Sequence, residues 1–215
     1  MSADVPPPLY QDLFVVCHQE NGKPLIHRSS ISLGLAGAVL IDLALYGRVR
    51  LVGGRAVAVT DRTPTGDPVV DAYAAAFLRS QTNLDAVTWA KTVAADSYDR
   101  ARRQLVRIGL LVEVTGRRLG MLPYRRYRAD MASIVRASTD VRSAVSGWRE
   151  MDARGAALCG LVLALQVHTE LYIGQSPAQL TTTLRTLVDE HSPQVKELVG
   201  LVETMIGEAA VAVYR

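Results

Sequence analysis

The chain has 215 residues, of which 49% are hydrophobic and 21% charged, and its net charge is +3. That profile excludes a disordered chain and gives one large domain, or two small ones, with enough length to bury a core without disulfide or metal staples. The charge is unevenly placed. Residues 100–128 hold nine arginines against one acid, Glu113, a block of +8 beside a remainder of −5.

The N-terminal stretch MSADVPPPLY has neither a basic n-region nor an apolar h-region. Residues 1–8 therefore read as a disordered tail with no secretory signal, ahead of a single domain over 9–215. Residues 9–17 (LYQDLFVVC) predict a short apolar helix, ended by the polar turn Gln19-Glu20-Asn21-Gly22. Ser29, Ser30 and Ser32 offer N-caps for a helix over 32–46 that is apolar nearly all round, with Gly47 as its stop. GRVRLVGGRAVAVT alternates around Gly53-Gly54 and predicts a tight β-hairpin. Asp67 then stands as N-cap, with Pro68 at the first position of a helix over 68–79.

Helices over 84–94 and 97–108 lead to Gly109, and LLVEVTGRRLGML predicts a second hairpin turning at Thr115-Gly116. Over 131–148, Ile134, Val141 and Trp148 recur every seven residues, and Met131, Val135 and Val145 fill the same face of an amphipathic helix. The helix over 156–173 is almost wholly apolar and stops at Gly174. Ser176-Pro177 and Ser192-Pro193 open two more. In the last, Val195, Leu198, Val202, Met205, Ala209 and Val213 form one stripe.

The expected fold is mainly α: a central helical bundle wrapped by amphipathic helices, with two small β-hairpins and the helices 32–46 and 156–173 inside. A shift of 62 residues superposes Gly47 on Gly109, Gly54 on Gly116 and Arg55 on Arg117. Reuse of one turn chemistry is the simpler account of this, a remote duplication the other. Asp42 interrupts the apolar stretch 31–49, and 156–167 falls short of the roughly 20 residues that span a bilayer, so the expected location is cytoplasmic. Cys17 and Cys159 sit in apolar helical contexts and read as reduced core residues.

Catalytic constellations are not evident. His18, His27, His168 and His191 show no metal-ligand spacing, the carboxylates are scattered, and no Gly-rich phosphate loop follows a strand. Gly34-Leu35-Ala36-Gly37 lies inside a helical pattern, where small residues allow close packing. The expectation is a non-enzyme with no cofactor and no metal. The chemistry-bearing feature is the arginine block. Arginine outnumbers lysine 21 to 3, and its planar fork grips phosphate oxygens.

Arg100, Arg103 and Arg107 share one helical face, and RRLGMLPYRRYR follows with Arg117, Arg118, Arg125 and Arg126 around Leu119, Met121 and Leu122. A basic helix followed by a basic hairpin outlines a DNA-binding winged helix. The apolar members have little use on a phosphate backbone. At an anionic membrane they would enter the acyl boundary while arginines pair with lipid phosphates. The residues favour a peripheral protein on anionic lipid over nucleic acid. A scaffold that forms a homo-oligomer through the hairpin is the third reading, and no client protein can be named.

Three blocks, LGLAGAVLIDLALYGRVRL (33–51), TPTGDPVVD (63–71) and RARRQLVRIGLLVEV (100–114), resemble the Golgi phosphoprotein 3 family, the GPP34 domain, in order and spacing. The Arg- and Ala-rich composition is closer to its bacterial branch. The resemblance implies a central bundle with a membrane-facing hairpin and, from the eukaryotic members, binding of phosphatidylinositol 4-phosphate. The family's pocket tryptophan falls on His27 and its three pocket arginines on Ala36, Ala95 and Tyr98, so none of the four matches. Arg28, Arg100 and Arg103 are the candidates for a shifted anion site, with His27 and Arg107 beside them.

Overall fold

Helix α2 (Arg28–Leu45) is the axis of the molecule, packed against α1 (Leu9–Val16), α4 (Ala86–Arg107), α6 (Ala153–Ala164) and α8 (Pro193–Val213). The computed structural model describes residues 6–53, 55–58, 63–79, 83–118, 122–148, 150–171 and 174–213. Helices α3 (Pro68–Arg79), α5 (Met131–Val145) and α7 (Pro177–His191) complete the bundle. Strands β1 (Val49–Val52), β2 (Arg55–Ala58) and β3 (Asn83–Asp85) make one antiparallel sheet, and β4 (Leu111–Arg118) with β5 (Leu122–Ala129) makes a second. The mainly α bundle with small hairpins is the architecture expected. Strand β3 is an addition, paired to β2 at Ala56↔Leu84.

By length and composition α2 could cross a membrane, yet 67% of it is buried inside the fold. Its small residues explain how it sits so centrally. A Cβ at Gly37 would lie 2.3 Å from Val202 of α8, and one at Gly34 would lie 2.7 Å from Leu165. Both contacts are too short to keep, so the helices meet only because the side chains are missing.

Local caps are supplemented from a distance. Prolines precede α1, whose Pro8 offers no side-chain cap, and the Leu9 N–H donates instead to Asp42 Oδ1 on α2 at 3.0 Å. Asp67 caps α3 as expected, accepting from Val69 N and Val70 N, while its other oxygen takes Tyr10 O–H at 2.9 Å. Of the segment expected as a tail, Pro8 is buried and the Pro7 carbonyl accepts from Arg154 Nε at 2.7 Å. Residues 1–5 lie outside the described residues.

Four expectations change. The helices foreseen over 84–94 and 97–108 are one, α4, of 22 residues. Ser97, which resembles a break, instead donates to the Ala94 and Ser32 carbonyls, and Asp96 pairs with Arg100 one turn on. Helix α2 begins at Arg28, capped by His27 rather than by a serine. Helix α6 ends at Ala164, where Gln166 takes a left-handed φ of 57° with no glycine to announce it, and a 3-10 turn Val167–Leu171 follows.

The buried face of α5 is the fourth. It is Ser133, Ala137, Val141, Ala144 and Val145, packed against α1 and α6. Of the expected stripe Val141 and Val145 are buried, whereas Met131 is 61% exposed, Val135 56% and Trp148, past the end of the helix, 83%.

Candidate anion-binding face

Helix α4 ends at Ile108, and Gly109, with φ of +79°, turns the chain into β4. The hairpin closes with Asp130 N–H donating to Leu110 O at 3.0 Å. Its ladder runs from Leu111↔Ala129 to Arg118↔Leu122, so Thr115 and Gly116 lie mid-strand opposite Arg125 and Tyr124. The turn foreseen there does not form, since pairing continues through both residues to Arg118↔Leu122. Leu119 and Met121 lie outside the described residues, and Arg117, Arg118 and Leu122 occupy the last rungs. Of the 62-residue correspondence, Gly47 and Gly109 keep the same role after α2 and α4, whereas Gly116 is a strand residue.

Opposed residues share a face, and alternation sorts the rest. Leu111 is buried and Tyr127 meets α4, so that side faces the bundle. Val112, 56% exposed, stands opposite Arg128 on the outer side, with Val114 and Arg126 next to them. The loop after α1 braces the hairpin's edge. A Cβ at Gly22 (φ +79°) would lie 2.1 Å from the Tyr127 carbonyl oxygen, and Arg128 Nε donates to Glu20 O at 3.3 Å.

The arginines divide into engaged and open. Arg100 Nε meets Asp96 Oδ2 at 2.5 Å, with its guanidinium 5.3 Å from the Tyr73 ring centroid. Arg125 Nε lies 3.3 Å from Glu113, the one acid of the block. Arg103 and Arg107 are exposed and form no ion pair among the described residues.

Arg28 joins this face from the start of α2. Its Nη2 is 2.6 Å from Asp99 Oδ2, and Arg102 Nη2 is 2.9 Å from Asp99 Oδ1. Each guanidinium is stacked, Arg28 at 4.3 Å from the Tyr98 ring centroid and Arg102 at 4.7 Å from that of Tyr127. Tyr98 is itself held from below. His18 Nδ1–H donates to Phe14 O at 2.6 Å, so its Nε2 accepts from the Tyr98 hydroxyl at 2.8 Å. Burial, opposed by the bond to Phe14, moves the His18 pKa below its ordinary value, consistent with a neutral ring.

Arg28 and Arg100 thus each pair with an acid, Arg28 sharing Asp99 with Arg102, and Arg102 and Asp99 were missed. Their i, i+3 spacing was visible in the sequence, and Arg28 was expected beside Arg100 and Arg103 rather than beside Arg102. His27 caps α2, its Nδ1 lying 2.7 Å from Ser29 Oγ and accepting from Ser29 N, so its ring is occupied locally. Ala36 is wholly buried in α2, Ala95 is exposed, and Tyr98 lies beneath Arg28. The positions onto which the resemblance places a headgroup pocket thus hold no arginine. Arg28 stands next to two of them.

No group of three or more His, Cys, Asp and Glu side chains that could hold a metal occurs among the described residues. Cys17 and Cys159 are buried and unpaired, and burial pushes both thiols up to about 12.

The arrangement defines an α-helical bundle domain with an appended basic β-hairpin. The family model of Golgi phosphoprotein 3 (GPP34) matches residues 9–205, and the chain belongs to that family. Comparison with curated protein sequences gave no match.

Proposed function

We propose that the chain is a non-catalytic peripheral membrane protein that binds anionic lipid headgroups through α4 and the β4–β5 hairpin. The observation that carries this reading is the set of exposed arginines, Arg103 and Arg107 on α4 and Arg126 and Arg128 on the outer side of β5 beside Val112. Each basic residue near an anionic surface contributes roughly 1 kcal/mol, so a few hold a protein reversibly at the bilayer. Membership of the GPP34 family supports the same reading.

Selection of phosphatidylinositol 4-phosphate is not part of it. A single monophosphate is selected by several donors preorganised around it, and His27, Ala36, Ala95 and Tyr98 supply no such set. The test is flotation with liposomes of defined headgroup. Binding should require anionic lipid and weaken as salt rises, because exposed charges are screened over about 10 Å at 0.1 M ionic strength. Equal flotation with neutral liposomes would overturn the electrostatic account. A tenfold preference for phosphatidylinositol 4-phosphate at matched charge would overturn the absence of a selective pocket.

A further inference from the structure

We propose that the pocket framed by α6, α7 and α8 takes a free α-amino acid with a large apolar side chain, whose carboxylate and ammonium enter between Arg185 and Glu203. The pocket is open and holds about 630 Å³, within the range of small-molecule sites. Its described residues belong to neither α4 nor the hairpin, so the inference stands apart from the proposed membrane contact. The two charges come from different helices. Arg185 Nη2 of α7 lies 3.8 Å from Glu203 Oε1 of α8, beyond hydrogen-bond reach, and the side chains are 60% and 36% exposed. Leu163 of α6 and Ile206 of α8 give the pocket an apolar wall.

The backbone around the pocket departs from what packing alone asks for. Gln166, after the end of α6, holds its left-handed φ of 57° where glycine would sit without strain. A glutamine there ends the helix no better than glycine, and it places an amide at the pocket. Gly207 does the reverse inside α8. Nothing lies within 4 Å of where its Cβ would be, so the helix backbone is bare at the pocket. Buried His168, its Nε2 3.2 Å from Thr181 Oγ1, ties α7 to the turn that follows Gln166.

The balance of charge selects the ligand. An exposed pair this loose opens at little cost, and each partner then needs an opposite charge. An α-amino acid carries one charge of each sign on neighbouring atoms, so it meets Arg185 and Glu203 together. Its carboxylate suits the planar fork of Arg185, and its side chain lies along the apolar wall. An anion alone would set a second negative charge beside Glu203. An amine alone would set a second positive charge beside Arg185.

The test is isothermal titration of the whole chain with phenylalanine, with hydrocinnamate, which lacks the ammonium, and with phenethylamine, which lacks the carboxylate. Phenylalanine should bind, and the other two should bind roughly tenfold more weakly, the scale of one lost hydrogen bond to a charged group. Arg185→Gln and Glu203→Gln should each weaken phenylalanine by a similar factor. Lys196→Gln breaks a second α7–α8 ion pair, Lys196 Nζ to Asp189 Oδ1 at 3.0 Å, and should leave binding unchanged. Gly207→Leu should abolish binding without lowering the circular dichroism melt, because leucine favours a helix interior over glycine and meets open space there. Absence of phenylalanine binding, equal affinity for either analogue, or binding that survives Gly207→Leu would each overturn the assignment. An equal loss from Lys196→Gln would overturn it too, since the effect would then lie in helix packing.

Discussion

Among the described residues two carboxylates, Asp12 and Asp99, are each gripped by two arginines. Asp12 on α1 is held by Arg136 Nη2 at 3.0 Å and by Arg154, and it is wholly buried. Asp99 on α4 is held by Arg28 and Arg102 and is 36% exposed. The residue chemistry is alike and the consequences differ. Around Asp12 a released charge has nowhere to go, because taking an ion out of water costs several kcal/mol. That triad ties α1, α5 and α6 together. Around Asp99 water replaces any partner that leaves, and exposed pairs contribute about 1 kcal/mol or less. Burial, not the pairing itself, separates a staple from a contact that water can replace.

The largest expected effect tests that difference directly. Asp12→Ala should cost about 3 kcal/mol of unfolding free energy, since it leaves Arg154, 14% exposed, with only the more distant Asp140 at 3.8 Å as a carboxylate partner. Asp99→Ala should cost no more than about 1 kcal/mol. Urea unfolding of both variants measures the gap, and equal losses would break the comparison.

Asp42 sharpens it by supplying burial without an ion pair. Its Oδ2 has no hydrogen-bond partner, and burial pushes its pKa from 3.8 up to about 8 against the lowering effects of Leu9 N–H and the Arg154 charge. The folded chain therefore keeps a proton that the unfolded chain releases above pH 4. Asp42's contribution to stability is full below about pH 4 and is lost as pH rises towards 8. Asp42→Asn keeps an acceptor for Leu9 without that proton linkage. It should gain at least about 1.4 kcal/mol on wild type between pH 4 and pH 8, one pKa unit's worth. Parallel pH profiles of stability would show that Asp42 is ionised in the fold.

The smallest effects belong to the open arginines. Arg107→Ala and Arg103→Ala should each weaken binding to anionic vesicles about fivefold and leave the melting temperature unchanged. An unaltered affinity in both would move the contact away from α4.

Much of this was legible in the sequence because it is local. Ser176 forms a capping box with Gln179 ahead of Pro177, and Asp67 with Pro68 opens α3, because cap and proline act within a few residues. The first hairpin pairs β1 with β2 in the register expected, with Val52 opposite Arg55. The stripe of α8 is buried at Val195, Leu198, Val202 and Met205, as helical spacing requires. The second hairpin was legible as a hairpin but not in its register. Thr115-Gly116 is acceptable turn chemistry, yet eight rungs of pairing carry the strands past it.

The sequence by itself determined the helical bundle, most of its boundaries, the concentration of arginine in 100–128 and the family to which the chain belongs. Only the tertiary structure decided which charges are free. It brought Arg28 across 71 positions to Asp99, buried Asp12 between two arginines, and used Asp42 to cap a helix 33 residues away. It also turned α5 so that Ala137, Val141, Ala144 and Val145 face the core while Met131 and Val135 face outward. The physical reason is the same in each case. Caps and turns are set by the backbone of neighbouring residues, whereas the partner and the burial of a charge depend on which helices meet and how closely.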